Sequence, residues 1–161
     1  MMVSIVKINH LGGKATLAEL WDDFCKHEPC RKSYLVPPQK GIYRICAPLG
    51  MEINFKDTID NHPGDAYRVE DLESKRASSD ILYIGKASGK RGLFQRLRQY
   101  MRYGFSTGNN HRGGRAIFQI VGYEQLICEW YSCEQCEAEE HRLLEDFKHS
   151  YGTYPVANWR K

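Results

Sequence analysis

Tyr43 in the stretch GIYRI and Tyr83 in LYIGKA stand at like positions in two short strand-forming runs. A strand tyrosine is ordinarily core packing. It becomes a candidate for proton chemistry when charged groups stand beside it. Two such groups can be read further along. In GLFQRLRQYMRY the helical period puts Leu93, Leu97, Tyr100 and Met101 on one face, with Arg96 at its edge, one turn from Tyr100. In the last helical stretch, Leu143, Leu144, Phe147 and Tyr151 define an apolar face, and Glu140 falls at its centre. A carboxylate on a core-facing stripe is costly unless a base pairs with it or a metal ion binds it. Glu139 falls to one side of that stripe, and Glu145 points nearly opposite.

The charge distribution gives these residues a context. Residues 81–115 hold Lys86, Lys90, Arg91, Arg96, Arg98, Arg102, Arg112 and Arg115 and no Asp or Glu, with Phe94, Tyr100, Tyr103 and Phe105 between them. Cations interleaved with rings suit a polyphosphate surface, although a solvated helix face is the common role of a charge run. By helical phase Arg91, Arg98 and Arg102 face away from Arg96. His111 lies in the loop that follows and could touch a phosphate, whereas a lone loop histidine is more often simply solvated.

Elements that could position these side chains follow from periodicity and breakers. TLAELWDDFCKH (residues 16–27) predicts a helix with Thr16 as N-cap. GIYRICA and DILYIGKA predict strands, and GLFQRLRQYMRY a helix after the turn at Gly89 and Gly92. RAIFQIVG and LICEWY predict two more strands. The final helix should start at a Ser132–Gln135 capping box and end near Gly152 and Pro155. Residues 47–80, with eight acids against four bases, read as an inserted excursion. The order predicts one α/β domain, more narrowly α+β, with a small mixed sheet flanked by helices. A helical extension over residues 1–40 would precede the main body at 41–161.

With Gly41-Ile42-Tyr43 followed by Tyr83-Ile84-Gly85, then Arg96 in the next helix, Glu140 in a later one and a terminal Pro-x-x-Asn in YPVANWR, the chain resembles the GIY-YIG nuclease superfamily over residues 41–158. That resemblance implies a DNA endonuclease that hydrolyses phosphodiester bonds with one divalent metal ion, Mg²⁺ or Mn²⁺. Tyr43 and Tyr83 would flank the attacking water, with Tyr43 the base and Tyr83 the positioning hydroxyl. Arg96 would hold the scissile phosphate, Tyr100 stand at the family's His or Tyr position, Lys86 follow the second tripeptide, and Glu140 bind the cation. Measured back from Asn158, the family's carboxylate would fall near Glu145 or Asp146, so Glu145 is the alternative metal ligand. Lys90, Arg91, Arg98, Arg102, His111, Arg112, Arg115 and Asn158 are the expected DNA contacts, with double-stranded DNA as partner. The acidic insert should cap the site or mediate self-association as a homodimer rather than bind DNA broadly.

Two readings compete: a non-catalytic nucleic-acid-binding domain of the same fold, and a zinc-binding interaction module built on Cys133-Glu-Gln-Cys136 with Cys128 and His141 nearby. One CxxC is short of the four ligands that structural zinc takes, and its helical phase points both thiols at the core. The N-terminal residues lack an apolar run of signal-peptide length, and no window approaches the 18 or so apolar residues of a membrane span. The expectation is a cytoplasmic protein with reduced cysteines.

Overall fold

Thr16 caps the first helix. In a computed structural model of the chain, which describes residues 12–27, 33–108 and 113–159, its hydroxyl accepts from the Glu19 N–H at 3.1 Å and the Glu19 carboxylate accepts from the Thr16 N–H at 2.8 Å. This reciprocal pair satisfies two donors that a helix start would otherwise leave open. The capped helix is α1 (Leu17–Lys26), and the short run before it forms a strand, β1 (Gly13–Thr16). The remaining elements are β2 (Gly41–Cys46), α2 (Val69–Lys75), β3 (Ile81–Ala87), α3 (Gly92–Phe105), β4 (Ile127–Ser132) and α4 (Cys136–Tyr151).

Among the described residues the fold is α+β: one four-stranded sheet in the order β1-β4-β2-β3 with four α-helices. Every pairing is antiparallel, so the sheet, expected to be mixed, has a single pairing type. Alternation along the strands divides the core. Tyr43, Ile45 and Tyr83 pack with residues of α1, α3 and the insert, while Ile42, Cys46 and Ile84 pack with Leu143, Leu144 and Phe147 of α4. No helix among the described residues is long and apolar enough to cross a membrane.

Four local expectations are corrected. RAIFQIVG is not a strand: Arg115–Gln119 forms a 3₁₀ turn, and only Ile120 makes an isolated bridge, to Phe55. Ala116 to Ile120 are buried without a break. Gln119 is fully buried, and its side chain donates to the Lys56 and Tyr67 carbonyls at 3.1 and 2.9 Å and accepts from the Tyr67 N–H at 2.8 Å. The segment is thus a plug that ties the insert to the body. The Ser132–Gln135 capping box does not form, because Ser132 still pairs with Gly41 as a strand residue and its hydroxyl donates to the Gln39 side chain at 2.7 Å. The extension over residues 1–40 is not helical alone, since among its described residues β1 lies along β4. Finally, the insert is more than an excursion: it contains α2, and Ile53, Ile59 and Leu72 are buried in the main core.

Candidate active site

The β2–β3 register sets Tyr43 opposite Gly85, and Tyr43 and Tyr83 emerge on the same face with ring centroids 6.0 Å apart. Glycine is required at position 85 by the close approach of the Tyr43 phenol. A Cβ there would lie 2.5 Å from its Cζ and 2.6 Å from its hydroxyl oxygen. Position 41 is constrained in the same way, by the Tyr131 carbonyl oxygen at 2.3 Å and by Leu93 of α3. The two glycines of the tripeptides are therefore packing requirements of the tyrosines and of the helix laid on the sheet.

From α3, Arg96 donates to the Tyr43 hydroxyl, and Tyr43 also shares a hydrogen bond with Tyr83. Tyr100 lies beneath them, its ring 6.1 Å from Tyr43 and 5.6 Å from Tyr83. Its hydroxyl donates to the Gly114 carbonyl at 2.7 Å, which holds the end of the loop that enters the 3₁₀ turn. On the other side of β3, Lys86 reaches α4, where its Nζ stands 3.8 Å from the Glu140 carboxylate and 3.7 Å from that of Glu137. Glu140 is buried, as its phase on the apolar stripe requires.

β3 is an edge strand, and the C-terminal segment covers part of that edge. The Ala157 N–H donates to the Leu82 carbonyl at 2.9 Å. The Asn158 side chain accepts from the Ile84 N–H at 3.0 Å and donates to the Ile84 carbonyl at 2.9 Å. An open strand edge is thereby closed by a side-chain amide. Next to this latch opens a cleft of about 530 Å³, lined by Tyr43, Tyr83, Lys86, Arg96, Glu140 and Asn158 together with Ser88, Gln95, Gln99 and Trp159.

Electrostatics distinguishes the phenols from the ion pair. Burial, and then Tyr83, push the Tyr43 phenol well above its ordinary range, with the Arg96 guanidinium pulling the other way. Burial likewise raises Tyr100. Both are neutral phenols at physiological pH. Glu140 is the cleft's carboxylate among the described residues, and its partner Lys86 is half-buried. A single carboxylate facing a cavity large enough for phosphate and water fits a magnesium ion, which takes one or two carboxylates and completes its octahedron with water and substrate oxygens. Among the described residues no group of three or more His, Cys, Asp or Glu could hold a metal by itself. Cys136 donates to the Cys133 carbonyl, and burial pushes its thiol up rather than toward the thiolate.

Several expected residues lie outside the cleft. Arg91, Arg98 and Arg102 line a separate groove on the outer side of α3. Lys90 is exposed in the turn before that helix. Arg115 is used inside the fold, where its Nε donates to the Asp65 carbonyl at 2.8 Å and its guanidinium covers the Tyr67 ring at 4.3 Å. Asn158, expected at DNA, does line the cleft, but both its amide atoms are taken up by Ile84. Glu145 accepts from the Tyr154 hydroxyl at 2.6 Å and is exposed away from the cleft. His111 and Arg112 lie outside the described residues. Gln95, Gln99 and Trp159 were not anticipated. The glutamines follow from phase, because both fall on the side of Arg96 that leads toward Arg98 and Arg102 on the same helix. Trp159, stacked on Tyr67 at 4.5 Å, gave no signal beyond its place next to Asn158.

Compared with known proteins, the chain matches no family model, no curated protein and no solved structure.

Proposed function

We propose that this protein is a Mg²⁺- or Mn²⁺-dependent DNA endonuclease of the GIY-YIG type, acting on double-stranded DNA. The observation that carries the reading is convergence: Tyr43 from β2, Tyr83 and Lys86 from β3, Arg96 from α3 and Glu140 from α4 all line one cleft. Nothing in the packing of a small α+β domain demands that a buried carboxylate, a guanidinium bonded to a phenol and an ammonium meet at one opening. Phosphodiester hydrolysis does call for such a set. Cytoplasmic residence belongs to the same proposal.

In this reading Arg96 holds the scissile phosphate through the part of its guanidinium not directed at Tyr43. Tyr83 orients the attacking water, and Tyr43 accepts its proton. Tyr43 starts as a neutral phenol, the form that burial favours, and must first pass its own proton to solvent water in the cleft; the Arg96 charge partly offsets the burial and favours the anion. The resulting phenolate is scarce and strongly basic, which is the balance a general base far above the working pH must strike. Lys86 adds positive charge at the phosphate's other side. Glu140 is the residue that would hold the divalent cation, whose contribution when bound is Lewis-acid stabilisation of charge on the phosphoryl oxygens.

The test is nicking of supercoiled plasmid with and without Mg²⁺ or Mn²⁺, beside Tyr43→Phe, Arg96→Ala and Glu140→Ala. The reading expects metal-dependent nicking that each substitution reduces by at least about a hundredfold. Full-rate nicking in all three variants would sink it.

A further inference from the structure

We propose that the outer side of α3 carries a second phosphate site, separate from the cleft, which grips the DNA backbone a few nucleotides from the bond being cut. The inference rests on the nuclease reading only for the identity of its ligand. Arg91, Arg98 and Arg102 follow one another at steps of seven and four residues, so they line one side of the helix. With Phe94, Gln95, Gln99 and Gly108 they enclose a concavity of about 110 Å³, large enough for a phosphate group. Its walls are built. The Arg91 guanidinium lies over the Phe94 ring at 4.8 Å, and the Gly108 N–H donates to the Arg102 carbonyl at 3.3 Å, folding the chain after α3 back against Arg102.

Gln95 and Gln99 line both this concavity and the cleft, so the two open on either side of one ridge. Arg96 and the arginine row are separated by roughly a third of a turn around a helix about 10–12 Å thick, a path on the order of 10 Å. Measured along the duplex axis, that distance is roughly three base-pair rises. A strand whose scissile phosphate sits at Arg96 can therefore cross the glutamine ridge, with amides donating to sugar or phosphate oxygens, and set a later phosphate among the guanidiniums. The absence of any acid across residues 81–115 keeps this path one-signed. Its chemistry recognises phosphodiester backbone and carries no base readout.

The experiment measures binding of a fluorescent duplex in EDTA, so that cleavage cannot interfere, between roughly 50 and 200 mM salt. Arg98→Gln with Arg102→Gln is compared with Lys14→Gln and Lys26→Gln, which remove two exposed charges elsewhere. Each phosphate contact contributes about 0.9 to the log–log salt slope, so the arginine pair should flatten it by about 1.8 and weaken binding tenfold or more. The lysine pair should leave the slope unchanged. An unchanged slope in the arginine variant, or an equal loss in both, overturns the proposal, as does failure of the native protein to bind DNA. A protein that binds through these arginines but never nicks keeps this site and loses the nuclease reading. One that nicks with an unaltered slope does the reverse.

Discussion

Gly85 lies directly across the β2–β3 pairing from Tyr43, and the Tyr43 phenol covers the space that any side chain at position 85 would need. The second tripeptide therefore contributes shape as well as its own hydroxyl.

The consequence is tested by Gly85→Ala. One added methyl must push the phenol off its contacts with Arg96 and Tyr83, at an overpacking cost of about 1–3 kcal/mol. The thermal midpoint should fall and nicking should be lost, with DNA affinity in EDTA largely kept. A Gly85→Ala protein that melts and cuts like the native one would mean that Tyr43 has no fixed position to lose. Gly41→Ala should be worse for stability, because the obstacle there is the Tyr131 carbonyl oxygen, part of the sheet backbone, rather than a side chain that can rotate.

The choice between the two carboxylates can be decided by charge-neutral substitution. Glu140→Gln keeps shape and leaves Lys86 with Glu137, so the fold should survive while metal-dependent nicking falls by about two orders of magnitude or more. Glu145→Gln should cut at the native rate, because Glu145 is exposed and bonded to Tyr154 outside the cleft. Binding of Mn²⁺, followed by calorimetry, should weaken in the first variant alone. The reverse pattern would move the metal site to the other side of α4.

Alkaline pH should unfold the protein early. Tyr43, Tyr100, Cys46 and Cys128 are buried, and desolvation raises the pKa of each above its unfolded value. For an acid raised in the fold, the unfolded chain releases its proton first, so stability is full below the unfolded pKa and declines as pH climbs past it. The thiols begin that decline near pH 8.5 and the phenols near pH 10, each adding at most about 1.4 kcal/mol per pH unit. Urea midpoints should hold steady up to about pH 8 and then drop progressively. Tyr100→Phe should remove about one proton from that dependence, measured as a shallower slope above about pH 10. A flat profile to pH 11 would show these groups reaching solvent in the folded state.

The elements that carry the cleft were legible because each has a strong local signal. GIYRI and LYIGKA are β-branched and aromatic, and α3 and α4 have full apolar stripes that put Arg96 at an edge and Glu140 at a centre. Thr16 marks the start of α1 and Gly152 the end of α4, Gly152 at φ +79°. What was missed depends on tertiary context. Gly-Lys-Ala-Thr is too short and mixed to announce a strand, and becomes β1 only because β4 offers it an edge. RAIFQIVG has strand-like composition, yet the buried Gln119 amide has no place in a sheet and is satisfied by insert carbonyls far off in sequence. The insert shows little periodicity because its core residues, Ile53, Ile59 and Leu72, come one at a time. Arg115 and Asn158 looked like DNA contacts by type; only the fold shows their polar atoms engaged by Asp65 and Ile84.

Asn158 gives the sharpest separation between a residue that touches DNA and one that builds the site. Its oxygen accepts from the Ile84 N–H and its nitrogen donates to the Ile84 carbonyl, and it is only 5% exposed. Asp at this position keeps the acceptor but turns the second atom from donor to acceptor, so two oxygens face each other in a buried place and a negative charge is buried with them. Asn158→Asp should therefore cost about 2–3 kcal/mol or more, and Asn158→Ala, which frees both Ile84 groups but buries no charge, about 1–3 kcal/mol. Amide exchange at Ile84 should accelerate in both, and the uncovered β3 edge should promote aggregation on heating. Nicking should fall in step with loss of the folded fraction. If either variant melted at the native temperature and merely bound DNA more weakly, Asn158 would be a DNA contact after all, and β3 would owe its closed edge to Ala157 alone.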